Sequence, residues 1–342
     1  AAPGGGEGGG WLDLDARIET LAGSLLPAGG EVEASVLLRA FYTISEDTVG
    51  GATANESVSG VELADTDLAF DVARGSTAGR ISFDLAAETD RLEDGYIRWE
   101  TDRGYFVRLG SFKPRYLFSS TVDPELLLFP DRTFLGARFD DWDLGVELSR
   151  HYDQFDWWMA IMNGLSGTGA DHLYMVRGEW AGYDAAWKPQ EGARGAPQHL
   201  RTLLGATYVK ESHTPGFGDM DAFGFDLALT YGPYALHTEI ALLDDGAGGP
   251  VLGDGAPAVT LVGDSSPYAV TWSRMYGEEW QAALRYQKVD DGDRTRGYGF
   301  ALHHYPETGP FGIVAEVLYV DSDAAPEGAI FRLGLNAGRT RR

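Results

Sequence analysis

Apolar and polar residues alternate with a period of two along most of this chain. In one segment Phe223, Phe225, Leu227, Leu229 and Tyr231 are separated by single small or polar residues. This period places the two sets on opposite faces of a β-strand. About sixteen segments show the same pattern. The predicted strands are 31–45, 61–74, 78–88, 91–101, 104–113, 142–150, 154–163, 172–182, 201–211, 221–231, 233–243, 267–276, 278–289, 296–305, 310–320 and 328–336.

The connections between these segments differ in length. Gly232-Pro233 leaves room only for a tight turn, whereas 188–200 and 244–266 are long and rich in Gly, Asp or Pro. Tight turns that alternate with long loops are typical of an up-and-down antiparallel barrel. The pattern therefore predicts an all-β fold with short turns at one end and long polar loops at the other.

Charged residues lie on the strand face opposite the apolar rows. A barrel of about sixteen strands encloses a cavity too wide for side chains to fill. We therefore expect a transmembrane antiparallel β-barrel whose charged face lines a water-filled lumen and whose apolar rows contact lipid. The alternative is a soluble sandwich, β-helix or propeller with the charged face in bulk water. The predicted lumen wall comprises Arg98, Arg108, Glu147, Arg177, Glu179, Glu239, Arg285, Glu316 and Arg332.

Composition and charge narrow the function classes. The chain has 27 basic and 52 acidic residues, and its formal net charge of −25 argues against nucleic-acid binding. Cysteine is absent, which excludes disulfides and thiolate metal sites. No apolar run reaches about 18 residues, which excludes a membrane-spanning helix.

The chain divides into two predicted parts. Residues 1–30 begin with a Gly-rich, flexible lead and continue into 11–26, which fits either a strand or a helix. We interpret 11–26 as a periplasmic or barrel-plugging segment. Residues 31–342 form one predicted barrel domain. The opening Ala1-Ala2-Pro3 is typical of residues that follow a removed signal peptide, and together with the barrel pattern it predicts a bacterial outer-membrane protein.

The alternation fails between Lys113 and Asp141, where Pro114, Pro124 and Pro130 appear. The apolar run 126–129 in this segment requires burial, but the prolines exclude a central strand. A loop folded into the barrel satisfies both constraints and would narrow the lumen. The alternative is an outer or subunit-interface loop whose charges are solvated. The predicted pore constriction comprises Lys113, Arg115, Asp123, Glu125, Asp131 and Arg132.

Short motifs around this loop carry a family resemblance. They are Asp94-Gly95-Tyr96-Ile97-Arg98, Leu109-Gly110-Ser111-Phe112-Lys113-Pro114, Phe129-Pro130-Asp131-Arg132, Asp143-Leu144-Gly145-Val146-Glu147-Leu148 and Met162-Asn163-Gly164. In this order they resemble the phosphate-selective porin O/P family. The resemblance implies a sixteen-stranded, trimeric outer-membrane barrel with an infolded third loop. Phosphate-selective members line the pore with Arg and Lys, whereas this chain is acidic. Mixed charges across the pore would instead set a transverse field, as in a general diffusion porin.

Signals for catalysis are weak. The Ser residues show no nucleophile elbow of the G-x-S-x-G type, and we predict no enzymatic activity and no cofactor. Asp290, Asp291 and Asp293 lie in one predicted hairpin and offer hard oxygen ligands to Ca²⁺, although they lack the EF-hand spacing. A solvated polar loop is the alternative to this calcium site.

These features predict passive diffusion of small hydrophilic solutes and ions, either general or with a weak cation preference. Three alternatives stay open: an anion- or phosphate-selective porin, a plugged barrel for binding or adhesion, and an outer-membrane barrel hydrolase. The expected partners are further copies of the chain in a homotrimer, outer-membrane lipid or lipopolysaccharide, and solutes in transit, with no nucleic acid.

Overall fold

A computed structural model describes most of the predicted barrel domain. The described residues are 31–46, 58–86, 92–164, 172–182, 190–211, 220–244, 249–251, 259–261, 263–289, 294–306, 311–321 and 328–340. The predicted lead and plug segment, residues 1–30, lies outside them.

Sixteen strands form one closed antiparallel barrel in which each strand pairs with the next barrel strand in the sequence and the first pairs with the last. Two further short strands, which lie in the sequence between two paired barrel strands, form a separate hairpin. The fold class predicted from the alternation is thus confirmed. The strands are β1 (Glu31–Glu46), β2 (Val58–Arg74), β3 (Thr77–Asp84), β4 (Leu92–Glu100), β5 (Tyr105–Phe112), β6 (Asp143–His151), β7 (Phe155–Met162), β8 (Leu173–Ala181), β9 (Arg201–Glu211), β10 (Met220–Tyr231), β11 (Tyr234–Leu243), β12 (Gly249–Val251), β13 (Val259–Leu261), β14 (Tyr268–Tyr276), β15 (Trp280–Lys288), β16 (Arg296–His304), β17 (Phe311–Asp321) and β18 (Gly328–Thr340).

Side chains alternate across the barrel wall as the period of two requires. On β10, Phe223, Phe225 and Tyr231 are exposed on the outside, while Asp226 and Thr230 are buried on the inside. Apolar residues therefore face outward and polar residues inward, which is the reverse of a soluble protein with an apolar interior.

Helical structure among the described residues is confined to the connection between β5 and β6. It consists of α1 (Phe118–Thr121), a 3₁₀ turn (Pro124–Leu126) and α2 (Phe134–Arg138). The Thr133 hydroxyl caps α2 by accepting a 2.9 Å hydrogen bond from the Gly136 amide. None of the described helices has the length and apolar character needed to cross a membrane.

One long connection lies at the end of the barrel where short turns were expected. We call this the short-turn end; it carries the tight links 75–76, 232–233 and 277–279. The connection 182–200 between β8 and β9 lies at the same end because consecutive strands reverse direction. The interpretation of 188–200 as one of the long loops at the opposite end is therefore wrong.

Candidate functional site

The connection 113–142, which we call the inner loop, lies inside the barrel. Nη1 of Arg177, on β8, donates a 2.9 Å hydrogen bond to the Tyr116 carbonyl. Nη2 of Arg39, on β1, donates a 2.7 Å hydrogen bond to the Pro130 carbonyl. Since β1 and β8 stand on nearly opposite sides of the barrel, the inner loop spans the lumen.

Small inward-facing residues make room for the apolar side chains of the inner loop. A Cβ placed on Gly224 would lie 2.9 Å from Cδ2 of Leu117, and one on Gly299 would lie 2.8 Å from the Phe129 ring. Phe129 also packs beside Ala283 and Ala301 in one buried cluster. Three side chains of the run 126–129 are thus buried, whereas Leu126 is partly buried.

Arg132 holds the inner loop together from within. Its Nη1 donates to the carbonyls of Ser119 and Val122, at 2.7 Å each, and its Nε lies 2.5 Å from the Asp140 carboxylate. Burial lowers the pKa of Arg132 to about 10, so its guanidinium is charged at neutral pH. One buried side chain thus joins both halves of the loop.

The base of the inner loop carries two more predicted residues. The Lys113 ammonium pairs with Asp140 and lies 3.9 Å from the centre of the Trp142 ring. Burial, followed by the nearby Arg132 charge, lowers the pKa of Lys113. The Arg115 guanidinium lies 4.9 Å from the Trp158 ring.

The acidic residues of the predicted constriction have different surroundings. The Asp131 carboxylate lies 2.5 Å from Nη1 of Arg332 on β18, while its carbonyl accepts a 2.8 Å hydrogen bond from Arg285 on β15. Asp123 and Glu125 lie beside and within the 3₁₀ turn, and both are exposed. Asp131 therefore anchors the loop to the wall, whereas Asp123 and Glu125 face water.

All nine residues of the predicted lumen wall lie on the inward face of the barrel. Most form adjacent ion pairs: Arg108 with Glu147 at 2.6 Å, Arg177 with Glu179 at 2.7 Å, and Arg332 with Glu316 at 3.2 Å. Arg285 pairs with Glu191 at 3.0 Å, and the Glu239 carboxylate accepts from Ser119 at 2.8 Å. Arg98 is exposed near the short-turn end. The opposite charges thus lie mostly side by side, which differs from the expected separation across an open gap.

Coverage of the inner wall is uneven. Inward-facing side chains from β9 to β18, such as Thr271, Ala283 and Glu316, are almost fully buried beneath inward segments. Ala69 and Ser82 are buried on the inward face of β2 and β3, but most charged residues on the inward face of β2 to β4 remain partly exposed, and most of these are acidic. They include Asp65, Asp67, Asp71, Arg80, Asp84 and Asp94. The open part of the lumen therefore runs along β2 to β4, off the barrel axis.

Several residues that shape this site were missing from the sequence prediction. Arg39 and Asp140 hold the inner loop, Asp226 forms a buried pair with Arg177 at 2.8 Å, and Glu191 contacts the loop from a different connection. A usable signal was the run of Gly and Ala on the inward face of β10 to β16, which marks the part of the wall that another segment covers.

The proposed calcium ligands Asp290, Asp291 and Asp293 lie outside the described residues, so that site stays a prediction. In the part of the chain that the structure describes, no three His, Asp or Glu side chains are grouped so as to hold a metal ion.

The barrel is similar to solved outer-membrane proteins. An anion-selective porin from Comamonas acidovorans matches with a TM-score of 0.63 at 11% identity, over 91% of this chain and 100% of that chain. The channel DcaP of Acinetobacter baumannii gives 0.58 at 12% identity, over 92% and 99%. The trimer form of OmpT from Vibrio cholerae gives 0.58 at 14%, over 91% and 100%. The fold is that of outer-membrane porins. Neither a protein-family model nor a curated protein matches the sequence.

Proposed function

We propose that this protein is a bacterial outer-membrane channel for passive diffusion of small hydrophilic solutes and ions, without catalytic activity. The observation that carries the proposal is the reversed wall: apolar side chains cover the outside, while ion pairs and acidic residues line the inside. Such a sheet is stable when hydrocarbon surrounds it and water fills it. The outer-membrane descriptions of the similar structures support the same location.

The inner loop is the proposed constriction. It occupies the lumen beside β8 to β18 and leaves the passage along β2 to β4. Solutes would pass between the wall residues Asp67, Asp71 and Asp84 and the exposed loop residues Asp123 and Glu125. Fixed charges that line a narrow pore set its ion selectivity. We therefore propose a weak preference for cations.

An anion- or phosphate-selective channel is the second candidate. It is supported by the motif resemblance to phosphate-selective porins and by the similar fold of the anion-selective porin from Comamonas acidovorans. Against it, the arginines that face the lumen at Arg39, Arg108, Arg177 and Arg332 each contact a carboxylate. Paired guanidinium groups attract anions less than free ones.

Assembly into a homotrimer in lipid is part of the proposal. It is supported by the trimer form of the OmpT structure and by the apolar outer rows, which suit both lipid and a second copy. The plug role of 11–26 and the calcium site at Asp290, Asp291 and Asp293 are further proposals, and both lie outside the described residues.

Reconstitution into a planar bilayer tests the channel and its selectivity together. Insertion of the purified, heat-modifiable protein should raise the conductance in discrete steps. In a salt gradient, the sign of the reversal potential should show that cations permeate more readily than anions. A reversal potential of opposite sign would support the anion-selective candidate. Folded protein without conductance would instead support a plugged barrel. Heat-denatured protein serves as the control for non-specific leakage.

A further inference from the structure

A second segment enters the barrel, from the short-turn end. Residues 190–197, which we call the inner turn, belong to the long connection between β8 and β9. Glu191 and Ala193 are almost fully buried, at 1% and 2% exposure. Their neighbours are inward-facing wall residues and the inner loop. The inner turn and the inner loop therefore approach each other inside the lumen from opposite ends.

Glu191 joins the two segments. Its Oε2 accepts a 2.9 Å hydrogen bond from the backbone amide of Leu128, in the inner loop. Both carboxylate oxygens also lie 3.0 Å from Nη2 of Arg285, on β15. Nη1 of the same guanidinium donates to the Asp131 carbonyl at 2.8 Å. One carboxylate and one guanidinium thus connect the inner turn, the barrel wall and the inner loop.

Packing around Glu191 holds the inner turn in place. A Cβ on Gly192 would lie 2.7 Å from Nε2 of Gln281 and 3.1 Å from Cδ2 of Leu128, so the backbone lies directly against both. The Arg194 guanidinium lies 4.1 Å from the centre of the Tyr305 ring, and Tyr305 directly follows β16. The Pro197 carbonyl accepts from the Gly232 amide at 2.9 Å, which ties the segment to the next short turn.

The tip of the inner loop depends on these contacts. Leu128 is 1% exposed, and its carbonyl is bound by the His303 ring at 2.5 Å. Without the Glu191 carboxylate, the Leu128 amide would be buried without this acceptor, and Arg285 would lose its ion-pair partner. A buried donor or charge that loses its partner favours local opening toward water.

We propose that the inner turn supports the tip of the inner loop, and that Glu191 is the positioning residue that fixes the loop in the lumen. The channel opening is then set by two segments from opposite ends of the barrel. The support of the inner loop by Glu191 does not depend on whether the barrel conducts ions. Only its effect on channel currents rests on the proposed function.

Thiol protection tests the support directly. The chain has no Cys, so Leu128→Cys introduces a single reactive site at the loop tip. In detergent-folded, heat-modifiable protein we expect this thiol to react slowly with a membrane-impermeant maleimide. Loss of the charge-assisted hydrogen bonds in Glu191→Gln should raise the labelling rate by about tenfold or more. Glu278→Gln removes the same charge from an exposed turn at the same end and should leave the rate unchanged.

Gly192→Val gives an independent version of the test. It keeps the Glu191 charge but places side-chain atoms against Gln281, whose Nε2 and Oε1 lie 2.7 and 2.9 Å from an ideal Cβ, and so displaces the inner turn even where Leu128 is replaced by Cys. The same rise in Leu128→Cys labelling is expected. Equal labelling rates in the Glu191→Gln, Gly192→Val and Glu278→Gln backgrounds would overturn the proposal.

Current recordings separate this inference from the proposed function. Glu191→Gln should increase open-channel noise and shift the reversal potential toward anions, because Arg285 is then unpaired, while Glu278→Gln should change neither. If Glu191→Gln raises the labelling of Leu128→Cys in a barrel that never conducts, the role of Glu191 is supported and the channel function is refuted. If the protein conducts but labelling is unchanged, only the role of Glu191 in holding the inner loop is refuted.

Discussion

Nη1 of Arg332, on the last strand of the barrel, lies 2.5 Å from the Asp131 carboxylate of the inner loop, although the two residues are 201 positions apart. Arg332 is fully buried and also contacts Glu316 on β17 at 3.2 Å. A buried guanidinium that holds two carboxylates is satisfied only while the loop stays against the wall. The position of the inner loop is therefore coupled to the ion pairs of the barrel.

Replacing Asp131 should release part of the inner loop. In Asp131→Asn the charge-assisted contact to Arg332 is lost, and we expect the loop to be destabilised by about 1.5–3 kcal/mol. Limited proteolysis of the folded protein in detergent should then cut within 113–142 faster than in the wild type. Asp123→Asn changes an exposed loop carboxylate and should not alter the cleavage rate. Equal rates for the two variants would contradict the anchoring role.

Arg132 is expected to be the most sensitive residue within the loop. Arg132→Met removes the donors to Ser119 and Val122 and leaves buried acceptors unpaired, at a cost of about 3–5 kcal/mol by analogy with broken buried ion pairs. Hydrogen exchange measured by mass spectrometry should show faster exchange across 113–142, with the barrel strands unchanged. Arg115→Met, which removes only a guanidinium over the Trp158 ring, is the matched control.

A larger residue at Gly299 should displace the loop from the wall. In Gly299→Val the new side chain would collide with the Phe129 ring, which lies 2.8 Å from an ideal Cβ. We expect a changed single-channel conductance and a larger size limit in liposome swelling with neutral sugars. Gly60→Val has open space around its Cβ and should behave like the wild type. A Gly299→Val channel that retains wild-type conductance and size limit would show that the loop does not set the opening.

Neutralising the acidic wall should reduce cation preference. Asp71→Asn combined with Asp84→Asn removes two carboxylates from the open side of the lumen while leaving the loop anchors intact. The reversal potential in a salt gradient should move toward zero or change sign, because fixed pore charge controls local ion concentration. Glu278→Gln, outside the lumen, should leave the potential unchanged.

The outward face should respond to charge according to depth. Phe225→Arg places a guanidinium near the middle of β10, where the cost in a bilayer is about 2–4 kcal/mol. Tyr231→Arg lies at the end of the same strand and should cost about 0–1 kcal/mol. Urea titrations of the protein folded into vesicles measure the difference. Equal stabilities would contradict hydrocarbon around the β10 midpoint.

Much of the barrel was predictable because the alternation repeats in every strand. The segment 221–231 was predicted from its apolar period and is observed as Met220–Tyr231. The location of 182–200 was also within reach, since it follows the eighth predicted strand and an even count returns the chain to the short-turn end. The misplacement came from judging that connection by length and composition alone.

The contacts of the inner loop were less predictable. Prolines and the apolar run 126–129 indicated a buried loop, but they do not indicate which strands of the barrel the loop contacts. The partners of Arg332, Arg177 and Arg285 depend on how the loop crosses the lumen, and they lie far apart in the sequence. Glu191 gave no signal because a carboxylate in a polar turn is usually solvated. Its burial became apparent only from the three-dimensional structure.

Pairing of β1 with β18 makes the two terminal strands the seam of the cylinder. Arg39 lies on one side of that seam and Arg332 on the other. Arg39 binds the Pro130 carbonyl and Arg332 binds the Asp131 carboxylate, so both contact the same stretch of the inner loop. Both contacts can form together only when β1 and β18 are paired. We therefore expect the inner loop to take up its observed position late in assembly, once the barrel has closed.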